Sequence, residues 1–461
     1  MTSVLPAVQF DDALHYRDPE LNRDSVPACA AAPACDTPYA RVSGSDLEVP
    51  LVPGGTIRYA NFDYAASAPA LSEVTDRIAE LLPFYASVHR GAGYASRVST
   101  AAYEDARASV ARFIGACDDQ VVVFTRNTTD SLNLLAGCVP GETVVLDVEH
   151  HANLLPWRDA RIVEAAGTID ETCERLSDEL TVRPAALLAV TGASNVTGEV
   201  LPIARLAEIA HRCGARIVVD GAQLVPHRRV DLAECGVDYL AFSGHKLYAP
   251  FGAGVLVGRR DWLDDAPPYL AGGGAVINVT VGEAIWASAP ARHEAGSPNV
   301  LGAAAIAAAC DALSAHDGGP REAALRDRLL AGLAGIKGID VLRIWDDSRE
   351  SVGIVAFTVA GYAPGQVAAY LSAEHGIGVR DGRFCAHPLL ARFGNGVGAV
   401  RASLGLGSTA GDVDRLVAAL GELVARGPRW TYECSDGPWN PVPETRAFPA
   451  SAVGSAGASL C

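Results

Sequence analysis

The sequence predicts an α/β fold built on a mostly parallel sheet. Short continuous runs of Val, Leu and Ile recur along the middle of the chain, and segments with helical periodicity separate them. Such runs are typical of strands buried on both faces, as in a parallel sheet covered by helices. With 461 residues, 49% of them hydrophobic, the chain is long enough for a large domain and a second, smaller one.

The candidate elements follow in chain order. Strands are predicted at Val121–Thr125, Thr143–Val148, Ala186–Val190, Arg216–Asp220, Tyr239–Ser243 and Gly254–Gly258, and helices at Thr129–Cys138, Ile203–Cys213 and Ser297–Ala315. From residue 352 the pattern indicates a smaller α+β domain, with strands at Val352–Ala360, Ile377–Arg380 and Ala399–Leu404 and helices at Pro364–His375 and Thr409–Arg426. Thr409 stands three residues before Asp412, which is typical of a capping box.

Four segments result from this pattern. They are an N-terminal extension at 1–55, a large domain at 56–320, a small C-terminal domain at 321–427 with contributions from the N-terminal segment, and a tail at 428–461. Both ends are rich in Pro and small residues and lack periodicity, so we expect them to be partly ordered at best. We therefore expect that removing residues 1–45 and 435–461 leaves the ligand site intact.

Composition excludes several classes of function. A net charge of −17 without a Lys/Arg cluster argues against binding to nucleic acid or to an anionic membrane. The N-terminus MTSVLPAVQF lacks the features of a signal peptide, and the apolar stretch Val300–Cys310 is too short to span a bilayer, so it predicts a buried helix. Eleven cysteines without a CxxC pair indicate reduced thiols. We therefore predict a cytoplasmic protein.

Two strand ends carry an amine and an acid. In SGHKLYAPFGAGVLVG, Lys246 follows an apolar strand and is itself followed by apolar and glycine residues. A buried lysine has a lowered pKa, and its neutral amine forms Schiff bases. In RIVVDGAQLVPH, Asp220 ends a strand, where it could pair with a protonated pyridine nitrogen. Together they indicate pyridoxal phosphate (PLP), although a surface lysine and a helix-capping aspartate are the simpler interpretations.

Two further segments fit the same cofactor. In FTRNTTDSLNLLAGC, Thr128 and Thr129 stand where a strand meets a helix, a place that binds phosphate, although N-capping predicts the same residues. In DVEHHANLLPW, His150 follows a strand and could stack on a flat ring. The alternatives for the histidine pair are a solvated loop or a metal site. Adjacent histidines point in different directions and lack matching ligands, so we predict no metal.

Together these segments resemble the class V aminotransferase-like PLP enzymes of fold type I. They are most similar to the group II (Suf-type) cysteine desulfurases and their selenocysteine lyase relatives. The resemblance runs from Tyr59 to Gly427 and is carried by DYAASAP, SVHRGAGYASRVST, FTRNTTDSLNL, EHHANLLPW, SNVTGEV, VDGAQLVPH, FSGHKLYAP, HEAGSPN, GVRDGRFCAHP and VRASLGLGST. It implies a seven-stranded sheet in the large domain, a homodimer and an amino-acid substrate.

The resemblance also implies a role for each matching residue. For the cofactor these are Lys246 (Schiff base and proton transfer), Asp220 (ring nitrogen), Gln223 (phenolic oxygen), His150 (ring stacking and catalysis), Asn195 (phenolic side), and Thr128, Thr129, Ser243 and His245 (phosphate). Ser297 would reach the phosphate of the neighbouring subunit. Arg401 would bind the substrate carboxylate as a bidentate fork, with Arg380 and Asn195 lining the same site. Cys385 occupies the position of the nucleophile.

The implied activity is removal of sulfur from L-cysteine, which gives alanine and a persulfide on Cys385, with a possible sulfur-acceptor protein. The sequence departs from the family here. Suf-type enzymes have a Thr and two histidines in the run before the cysteine, whereas between Arg380 and Cys385 this chain has Asp381, Gly382, Arg383 and Phe384. Arg383 could lower the thiol pKa instead, with Asp381 opposing it.

Other interpretations stay open at this point. Cys385 could be a small buried hydrophobic residue. The protein would then be a C–S or β-lyase, an epimerase or an aminotransferase for a specialised amino acid, and a selenocysteine lyase is a further alternative. A non-catalytic scaffold is a third class, which intact Lys246, Asp220 and Arg401 argue against.

Overall fold

Seven of the described strands form one sheet at the centre of the larger part of the molecule. The computed structural model describes residues 36–315, 318–394, 396–434 and 437–449. These residues belong to the unit Cys35–Cys461, and Met1–Ala34 is a separate unit outside the described residues.

The elements are as follows. The strands are β1 (Glu48–Pro50), β2 (Thr56–Arg58), β3 (Ala60–Asn61), β4 (Gln120–Thr125), β5 (Thr143–Leu146), β6 (Arg161–Val163), β7 (Leu187–Thr191), β8 (Arg216–Asp220), β9 (Tyr239–Ser243), β10 (Gly254–Arg259), β11 (Val276–Val279), β12 (Ala284–Trp286), β13 (Ile339–Val341), β14 (Ile354–Val359), β15 (Ile377–Gly378), β16 (Arg380–Gly382), β17 (Ala399–Ser403), β18 (Thr431–Glu433) and β19 (Asn440–Val442). The helices are α1 (Ser72–Leu81), α2 (Tyr94–Phe113), α3 (Thr128–Ala136), α4 (His151–Leu154), α5 (Ile169–Val182), α6 (Ile203–Arg212), α7 (Leu232–Cys235), α8 (Arg260–Asp265), α9 (Val300–Ser314), α10 (Gly319–Ala334), α11 (Pro364–His375), α12 (His387–Arg392) and α13 (Ala410–Arg426). Short 3-10 turns lie at Leu82–Phe84, Gly244–Lys246 and Ala291–His293.

The large sheet has the strand order β4-β10-β9-β8-β7-β5-β6. Strands β6, β5, β7, β8 and β9 run parallel to one another, whereas β10 is antiparallel to both β9 and β4. Alternate residues of one strand pack into two different hydrophobic cores, one on each face of the sheet. Leu188 and Val190 of β7 pack on one side of the sheet, and Leu187 and Ala189 on the other. This double burial explains the continuous apolar runs, and the predicted mostly parallel seven-stranded sheet is confirmed.

The alanine-rich stretch Val300–Cys310 lies in α9, which is buried, as predicted, and packs against α1 and α2. Among the described residues, no single helix is long and apolar enough to cross a membrane, and only the bent pair α9 and α10 meets the length and composition criteria jointly.

A second sheet lies in the C-terminal part, with the antiparallel order β13-β14-β17-β16. Its core joins Phe357 of β14 to Leu329, Leu371 and Leu420 of helices α10, α11 and α13. Phe62 from the N-terminal part packs into the same core, because β3 pairs in parallel with β15.

Most predicted elements are present, with two instructive differences. The capping box of Thr409 and Asp412 at α13 is confirmed. The helix predicted from Ser297 begins only at Val300, because Asn299 is its N-cap. The single strand predicted at Ile377–Arg380 is wrong, since β15 pairs with β3 whereas β16 pairs with β17.

The described part of the C-terminal tail is folded onto α11. Strands β18 and β19 pair as a hairpin, and Tyr432 is buried in the core of the small sheet. Glu374 of α11 accepts hydrogen bonds from the backbone N–H groups of Arg429 and Trp430 and from the Tyr432 hydroxyl. Trp430 Nε1 donates to the carbonyl of Pro443 at 2.9 Å. The side chains of Trp430 and Tyr432 thus fix the described part of the tail, although its sequence lacks periodicity.

The N-terminal extension is also structured from residue 36 on. The N–H of Tyr39 donates to the carbonyl of Leu406 at 2.8 Å, Val42 is buried, and β1 pairs with β2. Residues 1–35 and 450–461 of the two predicted extensions lie outside the described residues. The four-segment division and the tolerance to truncation stay predictions, although removal of 435–461 would delete β19.

Candidate active site

The carboxyl ends of β8 and β9 bring two predicted residues together. Asp220 ends β8, and Lys246 lies in the 3-10 turn that follows β9. Because the two strands are parallel neighbours, both residues stand at the same edge of the sheet, where ligands bind in open α/β folds. Asp220 is 4% exposed, and its Oδ1 accepts the N–H of Ala222 at 3.0 Å, which fixes the carboxylate.

Burial shifts the titration of both groups. It lowers the pKa of Lys246 to about 8, although the charge of Asp220 acts in the opposite direction. It raises the pKa of Asp220, which the Lys246 charge and the Ala222 N–H oppose. A lysine with this pKa has an appreciable neutral fraction at neutral pH, and the neutral amine is the form that attacks a carbonyl carbon.

Hydroxyl groups line the start of α3. Thr128 Oγ1 lies 2.6 Å from Ser243 Oγ, which also accepts the Thr128 N–H at 2.8 Å. Thr129 is exposed. The N-capping alternative for the two threonines is wrong, because Asn127 caps α3 by accepting the N–H of Asp130. A helix N-terminus lined by hydroxyl groups can bind an anion.

His245 and His150 flank the lysine turn. The His245 carbonyl accepts the N–H of Ala68 at 2.8 Å, and burial, followed by the Lys246 charge, lowers the pKa of its ring. His150 Nδ1 accepts the N–H of Ala152 at 3.0 Å, so the neutral ring carries its proton on Nε2. Burial and nearby positive charge lower the pKa of His150 to about 3. Its imidazole is therefore uncharged at neutral pH.

A buried arginine lies on the opposite wall of the cleft. Arg401 is 3% exposed and stands across from the exposed Arg380 in the β16–β17 pair. Its Nη1 donates to the carbonyl of Asn195 at 2.8 Å and its Nη2 to Asp63 Oδ1 at 3.3 Å. Burial lowers the pKa of Arg401 to about 10, which Asp63 opposes. Its buried Nε has no hydrogen-bond partner among the described residues.

The loop after β16 carries Cys385 in an uncommon backbone conformation. Phe384 and Cys385 have φ values of 52° and 51°, in the left-handed region. Asn195 Nδ2 donates to the Phe384 carbonyl at 2.7 Å, and the N–H of His151 donates to the Cys385 carbonyl at 2.8 Å. The Phe384 ring lies 5.1 Å from the guanidinium of Arg401. Non-glycine residues adopt this backbone only where their surroundings hold it.

The thiol of Cys385 is half-buried, in contrast to Cys310, which lies wholly in the core. A charge on the Cys385 thiol acts on the pKa of both Lys246 and Arg401, although burial dominates at each. The thiol is thus close enough to interact with both the amine and the guanidinium. Arg383, two residues before the thiol, has an exposed side chain.

The residues around this cleft fit PLP. Gln223 is buried and donates from Nε2 to the Ala65 carbonyl at 2.8 Å, while its Oε1 has no partner among the described residues. Unpaired buried polar atoms are rare, and here the atom offers a bond to a ligand. The amine of Lys246, the acid of Asp220 and the hydroxyls at α3 supply the remaining chemistry. Ser297 lies apart, exposed in the turn before α9.

Sequence reasoning did not single out two groups near these residues. Asp63, in the quoted DYAASAP segment, binds Arg401. Glu149, next to His150, is fully buried and accepts from Asn153 Nδ2 at 2.8 Å, and burial raises its pKa to about 8. Each is an acidic residue directly after a buried apolar residue, Phe62 or Val148, and this was a signal that could have pointed to them.

Residues 60–416 match the family model of aminotransferase class-V. The chain belongs to this family. Among class-V relatives, the cysteine desulfurase of Dickeya dadantii is 38% identical and covers 78% of this chain and 91% of its own length. The cysteine desulfurase of Escherichia coli O8 is 35% identical and covers 78% of this chain and 92% of its own length.

Solved structures give the same result. The cysteine desulfurase CsdA of Escherichia coli, in its S-sulfonic acid form, superimposes with a TM-score of 0.71 at 35% identity and covers 80% of this chain and 96% of that chain. The apo cysteine desulfurase of Thermococcus onnurineus gives a TM-score of 0.74 at 32% identity and covers 83% and 98%. The predicted resemblance to the class-V family and to cysteine desulfurases, and the predicted fold, are confirmed.

Proposed function

We propose that this protein is a PLP-dependent cysteine desulfurase that removes sulfur from L-cysteine, releases alanine and retains the sulfur as a persulfide on Cys385. The observation that carries the proposal is that Asn195 binds both Arg401 and the Phe384 carbonyl next to Cys385, which brings the thiol to the buried guanidinium on the Lys246 side of the molecule. The names of the class-V relatives support it.

PLP, when bound, supplies an electron sink for negative charge at the substrate α-carbon. Lys246 would hold it through the amine, Asp220 at the ring nitrogen and Gln223 at the phenolic oxygen, with Asn195 on the same side. His150 would lie on the ring, and the phosphate would be held by Thr128, Thr129, Ser243 and His245.

The other side chains bind the substrate and move protons. Arg401 would bind the substrate carboxylate through Nε and Nη2, since its Nη1 already donates to Asn195. Arg380, exposed at the mouth, adds attraction for the carboxylate. With the substrate fixed in this way, Nζ of Lys246 takes the proton from the α-carbon.

Cys385 then acts on sulfur. Its thiolate Sγ attacks the substrate sulfur, and an S–S bond forms as the substrate Cβ–S bond breaks. The electron pair of the broken bond stays on the substrate, whose β-carbon takes up the proton that the thiol released, and Lys246 returns its proton to the α-carbon. The products are alanine and the Cys385 persulfide, so the step needs no external oxidant.

Incubation of the purified protein with L-cysteine tests the proposal. We expect alanine and cyanide-labile sulfur on Cys385 in a one-to-one ratio during the first turnover. Pyruvate with ammonia and sulfide would instead identify a β-lyase, and alanine from selenocysteine alone would identify a selenocysteine lyase.

We also propose a homodimer in which Ser297 reaches the phosphate of the neighbouring site. Ser297 is exposed, and the β11–β12 hairpin exposes Ile277, Val279 and Val281, an apolar surface that association would cover. Light scattering should give twice the chain mass.

We further propose that a sulfur-acceptor protein takes the sulfur from the Cys385 persulfide. The protein would work in the cytoplasm, where reducing conditions keep the Cys385 nucleophile a free thiol.

A further inference from the structure

A carboxylate that the sulfur-transfer steps do not use lies against Arg401. We propose that Asp63 is a positioning residue that selects ligands with a single carboxylate. It orients the guanidinium of Arg401 and offsets part of the positive charge around it, so that an amino acid with a second acidic group is disfavoured. The inference deepens the proposed function, because it defines the substrate class of the same cleft.

The backbone fixes the position of Asp63. The N–H of Phe62 donates to the carbonyl of Gly378, and the N–H of Ser403 donates to the carbonyl of Phe62, both at 2.7 Å. The N–H of Asp63 donates to Asn61 Oδ1 at 2.9 Å. Asp63 also forms a parallel bridge with Ser403, two residues beyond Arg401 on β17. The carboxylate is therefore presented to the guanidinium by a segment tied to the small sheet.

The donors of Arg401 show what this contact does. A guanidinium has five N–H donors in a fixed plane. One Nη1 donor is used by the Asn195 carbonyl and one Nη2 donor by Asp63, whereas Nε is buried and unpaired among the described residues. The edge formed by Nε–H and the second Nη2–H is left without a hydrogen-bond partner among the described residues, and its geometry matches a carboxylate bidentately. Asp63 thus aims this edge into the cleft.

Charge gives Asp63 its second effect. Arg401 and Arg380 are opposite each other on adjacent strands, and both act on the pKa of Asp63, which burial raises. The Asp63 side chain is 27% exposed, against 4% for that of Arg401, so its carboxylate also faces whatever enters the cleft. One ligand carboxylate is compensated by Arg401. A second one would meet the charge of Asp63.

Asp381 is a natural control for this effect. It follows Arg380 on β16, so its side chain points to the other face of the strand. There its Oδ2 lies beside Gly365 at the start of α11, 3.2 Å from where a Cβ would stand. Both carboxylates are thus near Arg380, but only Asp63 binds the guanidinium of Arg401.

The test compares binding of L-alanine and L-aspartate to the PLP-loaded protein by calorimetric titration. For Asp63→Asn, which keeps an acceptor oxygen in place, we expect the ratio of the aspartate to the alanine dissociation constant to fall about fivefold or more, because one repulsive charge is removed. For Asp381→Asn, we expect the ratio to change less than twofold. Asp63→Ala should also weaken alanine binding, since the guanidinium loses its orientation.

An unchanged ratio in Asp63→Asn, or an equal loss of affinity for both ligands, would overturn the inference, because a purely structural residue affects both alike. An equal fall of the ratio in Asp381→Asn would overturn it as well. Binding needs no sulfur transfer, so the result is independent of whether L-cysteine yields alanine. A wild-type protein that binds both ligands but makes no alanine contradicts the proposed function alone.

Discussion

The two walls of the cleft are built in different ways. On the large-domain side, Asp220 and Lys246 stand at the ends of buried parallel strands, and the sheet itself sets their positions. On the other side, Cys385 stands in a loop whose left-handed backbone is held by Asn195 and His151 from other elements. The first wall follows from regular secondary structure. The second wall depends on contacts between distant segments, so substitutions in those segments can most easily change its conformation.

The largest effect on activity should come from a substitution in the large-domain wall of the cleft. Lys246→Ala should lower alanine production from L-cysteine on the order of a thousandfold or more, because the chain loses both its cofactor anchor and its proton carrier. Borohydride reduction of the wild type, followed by peptide mapping, should place the pyridoxyl group on Lys246. A label on another lysine would refute the assignment.

Cys385→Ala separates the two walls. The variant should still bind PLP and still change its absorption spectrum with L-cysteine, but alanine release should fall about a hundredfold or more, because no thiol takes the sulfur. Cys434→Ala, which removes an exposed thiol elsewhere, is the matched control and should stay within twofold. Alanine made by Cys385→Ala at the wild-type rate would mean that sulfur transfer does not involve this loop.

The lowered pKa of Lys246 gives a pH prediction. The neutral amine is the reactive form, and its pKa is about 8, so the fraction that reacts falls as pH decreases below 8. Attachment of PLP to the cofactor-free protein should therefore slow about tenfold for each pH unit below 7 and level off above pH 9. Stopped-flow absorbance across pH 6 to 10 measures this, and a midpoint near 10.5 would show that the amine is not buried.

The smallest effect concerns Arg383. Its positive charge favours the thiolate, so Arg383→Ala should slow alanine release and move its pH dependence upward. Because the side chain is exposed, we expect a change of about twofold to threefold that disappears at high salt. Measurement at two ionic strengths decides this, and a downward shift would contradict it.

The same contrast explains what the sequence predicts. The bounds of β8 and β9 are as predicted, because each apolar run ends at a polar residue, and the strand-end rule then brings Asp220 and Lys246 together. The left-handed backbone at Phe384 and Cys385 could not be predicted, because neither residue is a glycine, the usual sequence signal for this conformation. The contact between Asp63 and Arg401 joins residues 338 positions apart, which local patterns do not encode.

The C-terminal hairpin determines where the chain can be truncated without exposing its core. The family match ends at residue 416, in the middle of α13. Cutting there would remove the second half of that helix together with Arg429, Trp430 and Tyr432, the donors that satisfy the buried carboxylate of Glu374. A chain that ends where the family match ends would thus expose the inner face of α11, whereas a chain that ends after residue 449 keeps this face covered.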